Sequence, residues 1–146
     1  MVGHNANEGA YFTPPYIKTT AEVEAQVYAI EPYIPRPVLL YITNVLYPAV
    51  FDGTYPYRTQ YQRTQLLVSE LVFTCNTYYL DKAFQNKTYS YLFSVPPAYH
   101  GFDVPYTYWT RGAVNAQDPT EVTNKTVALA LQVSLHILSS KVPSKR

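Results

Sequence analysis

Two stretches of strand character stand far apart in this chain, and the helical sequence between them constrains the fold more than any other feature. Residues 1–3 read as the end of a short buried strand, followed by a polar turn from His4 to Gly9. Residues 89–95 place Tyr89, Tyr91, Phe93 and Val95 at every second position, the period of a strand, and Pro96 and Pro97 stop it. No tight hairpin turn links the two. A long helical crossover brings two strands together in parallel, and such pairs belong to α/β sheets. Parallel strands are usually buried on both faces and flanked by further strands. The expectation is an α/β fold, with few parallel strands flanked by helices and neighbouring strands supplied by sequence that these residues lack.

The intervening helices can be placed by pattern. Ala21, Val23, Val27 and Ile30 define a helix over 19–30, with Glu22 and Glu24 near its positive end and Thr19 or Thr20 as cap. Pro32, Pro35 and Pro37 interrupt, 38–46 is a second helical run closed by Tyr47-Pro48, and 48–58 is a loop by composition. In the longest helix, 59–84, a rotation of about 100° per residue lines up Thr64, Leu67, Val68, Leu71, Cys75 and Tyr78 on one face. That phase points Cys75 into the core as a buried thiol. Asn86-Lys87 makes a turn, 105–109 is aromatic, and a polar linker runs to about Pro119. A last helix over 120–138 carries Val127, Leu131, Leu135 and Leu138 on one stripe, with His136 on the opposite, solvated side.

Charge and composition exclude several classes. Among 146 residues, 14% are charged and the net charge is +1, with no basic run longer than Lys145-Arg146. Phosphate-neutralising recognition of nucleic acid needs a concentrated positive face, so no nucleic-acid partner is expected. The most apolar run, 127–138, is interrupted by Gln132, Ser134 and His136 and is too short for a bilayer core of about 30 Å, so no membrane span is expected. The first residues have no charged leader, apolar run or cleavage site of a signal peptide. The single Cys75 leaves no intramolecular disulfide and no zinc set. His4 precedes Glu8 by four positions, a spacing that aligns metal ligands only on a helix, and here it falls in a turn. No metal or cofactor is expected. Asn86-Lys87-Thr88 and Asn124-Lys125-Thr126 are acceptor triplets for N-glycosylation, the mark of a glycoprotein.

In open α/β sheets ligands bind beyond the carboxyl ends of the strands, and two titratable residues fall there. Glu8 follows the first strand and His100 the second, each beside a glycine, Gly9 and Gly101. A carboxylate on one imidazole nitrogen fixes the tautomer and stabilises the imidazolium. Asp52 is a weaker rival as the acid. Asp103 is better suited to holding the histidine loop or capping the segment after it. Tyr106, Tyr108 and Trp109 read as core and pocket wall before a sugar-stacking platform.

The same residues carry a family resemblance. Val2-Gly3-His4-Asn5-Ala6-Asn7-Glu8-Gly9-Ala10-Tyr11-Phe12 resembles the acid loop, and Tyr99-His100-Gly101-Phe102-Asp103 the histidine loop, of the fungal type-B carboxylesterases, the cholinesterase and lipase-like branch of the α/β-hydrolases. Tyr47-Pro48, Asp52-Gly53, Leu67-Val68-Ser69-Glu70, Phe73-Thr74-Cys75-Asn76 and Val104-Pro105-Tyr106 continue it in order, over about residues 1 to 132, and the tail 133–146 diverges. The resemblance implies the C-terminal portion of an α/β-hydrolase fold spanning 1–146, a secreted parent acting on a small-molecule ester, and catalytic roles for Glu8 as the acid and His100 as the base. In some relatives the cysteine matching Cys75 pairs with one near the C-terminus, and this sequence has no such partner. Glycines occur only at 3, 9, 53, 101 and 112, so no Gly-x-Ser-x-Gly elbow or oxyanion glycine loop is present. The expectation is an esterase-derived chain with acid and histidine but no nucleophile, inactive alone and prone to self-association through an exposed sheet edge. The alternative is a non-catalytic binding or interaction protein derived from the same fold.

Overall fold

The computed structural model describes residues 1–85, 87–110 and 122–140. Strand β1 (Val2–Asn5) and strand β2 (Ser90–Phe93) pair in parallel, with Val2 opposite Ser90, Gly3 opposite Tyr91, His4 opposite Leu92 and Asn5 opposite Phe93. The parallel pair is as expected, but the first strand is longer than the sequence reading made it. Its start is only half-buried, and burial is reached at its last residue, Asn5. Gly3 is required by its neighbour: a Cβ there would lie 2.2 Å from the Tyr91 ring.

Between the strands run α1 (Thr20–Ile30), α2 (Arg36–Tyr41), α3 (Gln60–Ser69) and α4 (Cys75–Ala83). Thr19 caps α1 in a reciprocal arrangement. Its Oγ1 accepts the Glu22 N–H, and the Glu22 carboxylate accepts the Thr19 and Lys18 backbone N–H groups at 2.9 Å each. Pro37 sits in the first turn of α2, where its missing N–H has no helical partner to lose. After β2 come α5 (Val104–Thr107) and α6 (Lys125–Ser140). The last helix starts at Lys125, later than the expected Thr120: residues 122–124 are not helical, and Asn124 Oδ1 accepts the Val127 N–H at the helix start. The end of the linker and residues 141–146 lie outside the described residues.

Two wide π-helical turns interrupt the regular helices, Ile42–Leu46 after α2 and Glu70–Thr74 between α3 and α4. They face one another. Tyr47 hydrogen-bonds Glu70, and Arg63, fully buried on α3, donates to the Tyr47 carbonyl at 2.6 Å and the Thr43 carbonyl at 2.5 Å. A π turn changes the register of i→i−4 bonding and leaves carbonyls in need of donors; one guanidinium supplies two of them. Gln60 accepts a third Arg63 hydrogen bond at 2.6 Å, so the buried cation is held by neutral oxygens.

The π turn also overturns the reading of Cys75, which is exposed. Thr64, Leu67 and Val68 are buried as the periodicity expects, but the regular phase does not survive residues 70–74. Beyond them Cys75 and Tyr78 face outward, and Thr77 is the buried residue of α4.

Two apolar clusters result. Ile17, Val23, Val27, Leu39 and Leu67 join α1, α2 and α3, while Phe93, Ala98, Tyr106 and Ala128 join β2, α5 and α6. Tyr106 is thus core, Trp109 packs against the same cluster, and Tyr108 projects outward. Gln132 on α6 fastens the end of α5 by donating to the carbonyls of Tyr106 at 3.1 Å and Trp109 at 2.8 Å. The architecture is a small parallel sheet with helices, a partial α/β fold. Among the described residues no helix is long and apolar enough to cross a membrane.

Candidate active site

The ladder between the strands does not end with them. The Ala6 N–H donates to the Phe93 carbonyl at 2.9 Å, the Asn7 N–H to the Ala98 carbonyl at 3.0 Å, and Asn7 bridges Tyr99 in parallel. The segments leaving the two carboxyl ends are therefore held side by side, one carrying Glu8 and the other His100. Ala98, buried, adopts a left-handed φ of 53° just before the histidine, a conformation that costs an L-residue about 1–2 kcal/mol. Gly101, just after it, has φ of 80°, where the absence of a Cβ removes that cost.

Glu8 is 3% exposed and opens a single 3-10 turn, Glu8–Ala10. Its Oε2 lies 2.6 Å from His100 Nδ1. Its Oε1 accepts the Asn5 backbone N–H at 2.6 Å and the Asn5 side-chain amide at 3.2 Å. An ionised carboxylate only accepts, so Nδ1 carries the proton and Nε2 is left to take one. No hydrogen bond to Nε2 occurs among the described residues. The imidazole is half-exposed on that side, its ring flanked by Phe12 and Phe73 with centroids 5.1 Å away in each case.

Gly9 is pressed against α3. A Cβ would lie 2.0 Å from the Gln65 carbonyl oxygen, and the Gly9 N–H donates at 2.7 Å to Ser69 Oγ, which donates to Gln65 O at 2.8 Å. The acid loop therefore rests directly on helical backbone, and any side chain at position 9 would lift Glu8 away from His100.

Asp103 stands at the start of α5 but its side chain makes no cap bond, so the capping role is corrected. Its Oδ1 accepts from the Asn5 amide at 3.0 Å and its Oδ2 accepts from the Tyr91 hydroxyl at 2.5 Å. Burial, and then the hydrogen bond to Asp103, push the Tyr91 phenol well above the ordinary tyrosine range. The loop-holding role matches the sequence reading, whereas Asn5, Ser69 and Tyr91 were not singled out. Gly9 hinted that something packs closely there. Asn5 bonds Glu8 three residues on, but nothing local marks its second tie, to Asp103 far along the chain.

Asp52, the rival acid, is exposed in the 48–58 region and accepts from the Thr54 N–H at 2.9 Å; that bond is the main reason its carboxyl lies below the usual range. His4 lies on β1 with Nδ1 buried and without a hydrogen-bond partner, as is Asn5 Oδ1. An unmade buried hydrogen bond costs about 1–3 kcal/mol. Among the described residues no three His, Cys, Asp or Glu side chains gather as a metal site. Asn124 is exposed with its Oδ1 accepting the Val127 N–H at 3.1 Å; Asn86 lies outside the described residues.

Comparison with known proteins gives two relatives. Carboxylesterase patB of Aspergillus clavatus is 39% identical over 132 residues, and carboxylesterase patB of Penicillium expansum is 31% identical over 132 residues. The chain is a relative of the fungal carboxylesterases. Each alignment takes in 90% of this chain and 23% of the relative, so the chain spans about a quarter of the length of the carboxylesterases it matches. No family model matches the chain, and no solved structure does.

Proposed function

We propose that this chain provides the acid and the general base of a serine esterase site in the C-terminal part of an α/β-hydrolase fold. The reading rests on one observation above the rest, the 2.6 Å contact between His100 Nδ1 and the buried Glu8 carboxylate. In that role Nε2 takes the proton of a serine hydroxyl as the oxygen attacks an ester carbonyl. The imidazolium, stabilised by Glu8, returns the proton to the departing alkoxide, and the same nitrogen then activates the water that releases the acid. The serine itself lies outside these 146 residues, since no glycine pair here frames one in the required spacing. An apolar cavity of about 160 Å³ lined by Phe12, Ile30, Val68, Val72 and Phe73 shares two residues with the imidazole's surroundings, which favours esters with an apolar group.

The purified chain alone is expected to hydrolyse a nitrophenyl ester no faster than an imidazole control and to resist labelling by a serine-directed organophosphate. Joined to the upstream portion of a carboxylesterase relative that carries Gly-x-Ser-x-Gly, it is expected to hydrolyse the ester, with Glu8→Gln or His100→Gln lowering kcat about 10²- to 10⁴-fold. A joined protein whose activity is indifferent to both substitutions refutes the proposal and favours a non-catalytic interaction role. Labelling of a serine within the isolated chain refutes it too.

A further inference from the structure

We infer that Asn5 and Asp103 form a positioning clamp for the acid–base pair, anchored by Tyr91 on β2. The Asn5 amide has two N–H groups, and each goes to a different carboxylate, one to Glu8 Oε1 at 3.2 Å and one to Asp103 Oδ1 at 3.0 Å. Flipping the amide would set its oxygen against two acceptors, so its orientation is dictated by charge. The flip is barred even though it leaves Asn5 Oδ1 buried and unpartnered. With Oε1 held by the amide and by the Asn5 N–H, the plane of the Glu8 carboxylate is set and Oε2 is aimed at His100. Asp103 cannot swing away because the Tyr91 hydroxyl holds its other oxygen at 2.5 Å. The contacts close a ring, from His100 to Glu8, to Asn5, to Asp103, and back along three residues of backbone to His100. The loop that carries the base thus also carries the group that orients the acid, so displacement of one moves the other. Asp103 acts through Asn5 and is a positioning residue.

The inference rests on Glu8 and His100 being the acid–base pair, and one experiment separates the two claims. In the ¹⁵N-labelled full chain, the imidazole nitrogens and the far-downfield Nδ1 proton of His100, assigned with His100→Gln, report its tautomer, and the α1 amides report folding. Asp103→Ala is expected to abolish the downfield proton and mix the tautomers while the α1 amides stay in place. Asp103→Asn, whose amide oxygen still accepts from Asn5, is expected to restore the signal. An Asp103→Ala protein with wild-type His100 signals overturns the clamp, and so does an Asp103→Asn protein as impaired as the alanine variant. Should Asp103→Ala lose its α1 amides, Tyr91→Phe decides, because it deletes one oxygen: a weakened proton supports the clamp and an unchanged one overturns it. Glu8→Gln tests the underlying pair. If it leaves the proton intact, the acid–base reading falls; if it abolishes the proton while Asp103→Ala does not, only the clamp falls.

Discussion

Tyrosine supplies 16 of the residues of this chain, and two of them show how a phenol can be both packing and polar tie. Tyr91 donates to Asp103 and Tyr47 to Glu70, and in both cases burial, followed by the carboxylate partner, raises the phenol above its ordinary range. A pKa raised in the folded state means that the stabilisation is intact below the unfolded value of about 10 and is lost as pH rises beyond it. The chain is therefore expected to unfold in alkali from about pH 10 upward. Absorbance at 295 nm should show a late group of tyrosines ionising together with the loss of helical circular dichroism, and Tyr91→Phe should shrink that late step. At this scale the sequence revealed the two ends of the pair, because Glu8 and His100 each follow a strand and each precede a glycine. Asn5, Ser69 and Tyr91 stayed hidden, since their partners at Asp103, Gly9 and Asp103 are set by tertiary contact that no local pattern encodes.

Element boundaries divide along the same line. The start of α1 could be read because its capping box is local: Thr19 and Glu22 are three residues apart and satisfy each other's backbone. Thr19→Ala should cost about 1 kcal/mol, measured as a lower urea midpoint with unchanged slope. Three hydrogen bonds from Lys18 and Thr19 lower the Glu22 carboxyl below its ordinary 4.5. A lowered pKa in the folded state gives a contribution that is present above that value and lost as pH falls through the folded one. The protection of amides in the first turn of α1, relative to the unstructured exchange rate at the same pH, should therefore fall below about pH 4.5 in the wild type, and the variant, with one of those bonds deleted, should respond less. The phase of the longest helix misled at Cys75 because a π turn at Glu70–Thr74 breaks the regular rotation. That turn meets Tyr47, which reaches across from the end of the other π turn to hydrogen-bond Glu70, a contact that amphipathic spacing within the helix does not encode.

Across the whole molecule, the described sheet has two strands, and β1 pairs only with β2. Among the described residues no further strand covers its other edge, the condition that invites pairing with another chain, and the Asn5 N–H there is taken by Glu8. Large apolar side chains at Tyr33, Val45, Leu92 and Val133 add to this, each more than half exposed. Sedimentation velocity should show the weight-average mass rising with concentration, and a Val2→Lys substitution on β1 should reduce the rise. A single monomeric boundary at all concentrations would contradict this. The α/β class was legible because two strands without a hairpin imply a crossover, yet the second apolar cluster was not, since it draws Phe93, Ala98, Tyr106 and Ala128 from four separate segments.

The parallel register has a kinetic corollary. Helices form from neighbours in sequence within microseconds, whereas Val2 meets Ser90 only after everything between them has condensed. The imidazole signature of His100 should accordingly return later in refolding than far-ultraviolet ellipticity does, which makes the site a clock that strikes only when the chain has finished closing on itself.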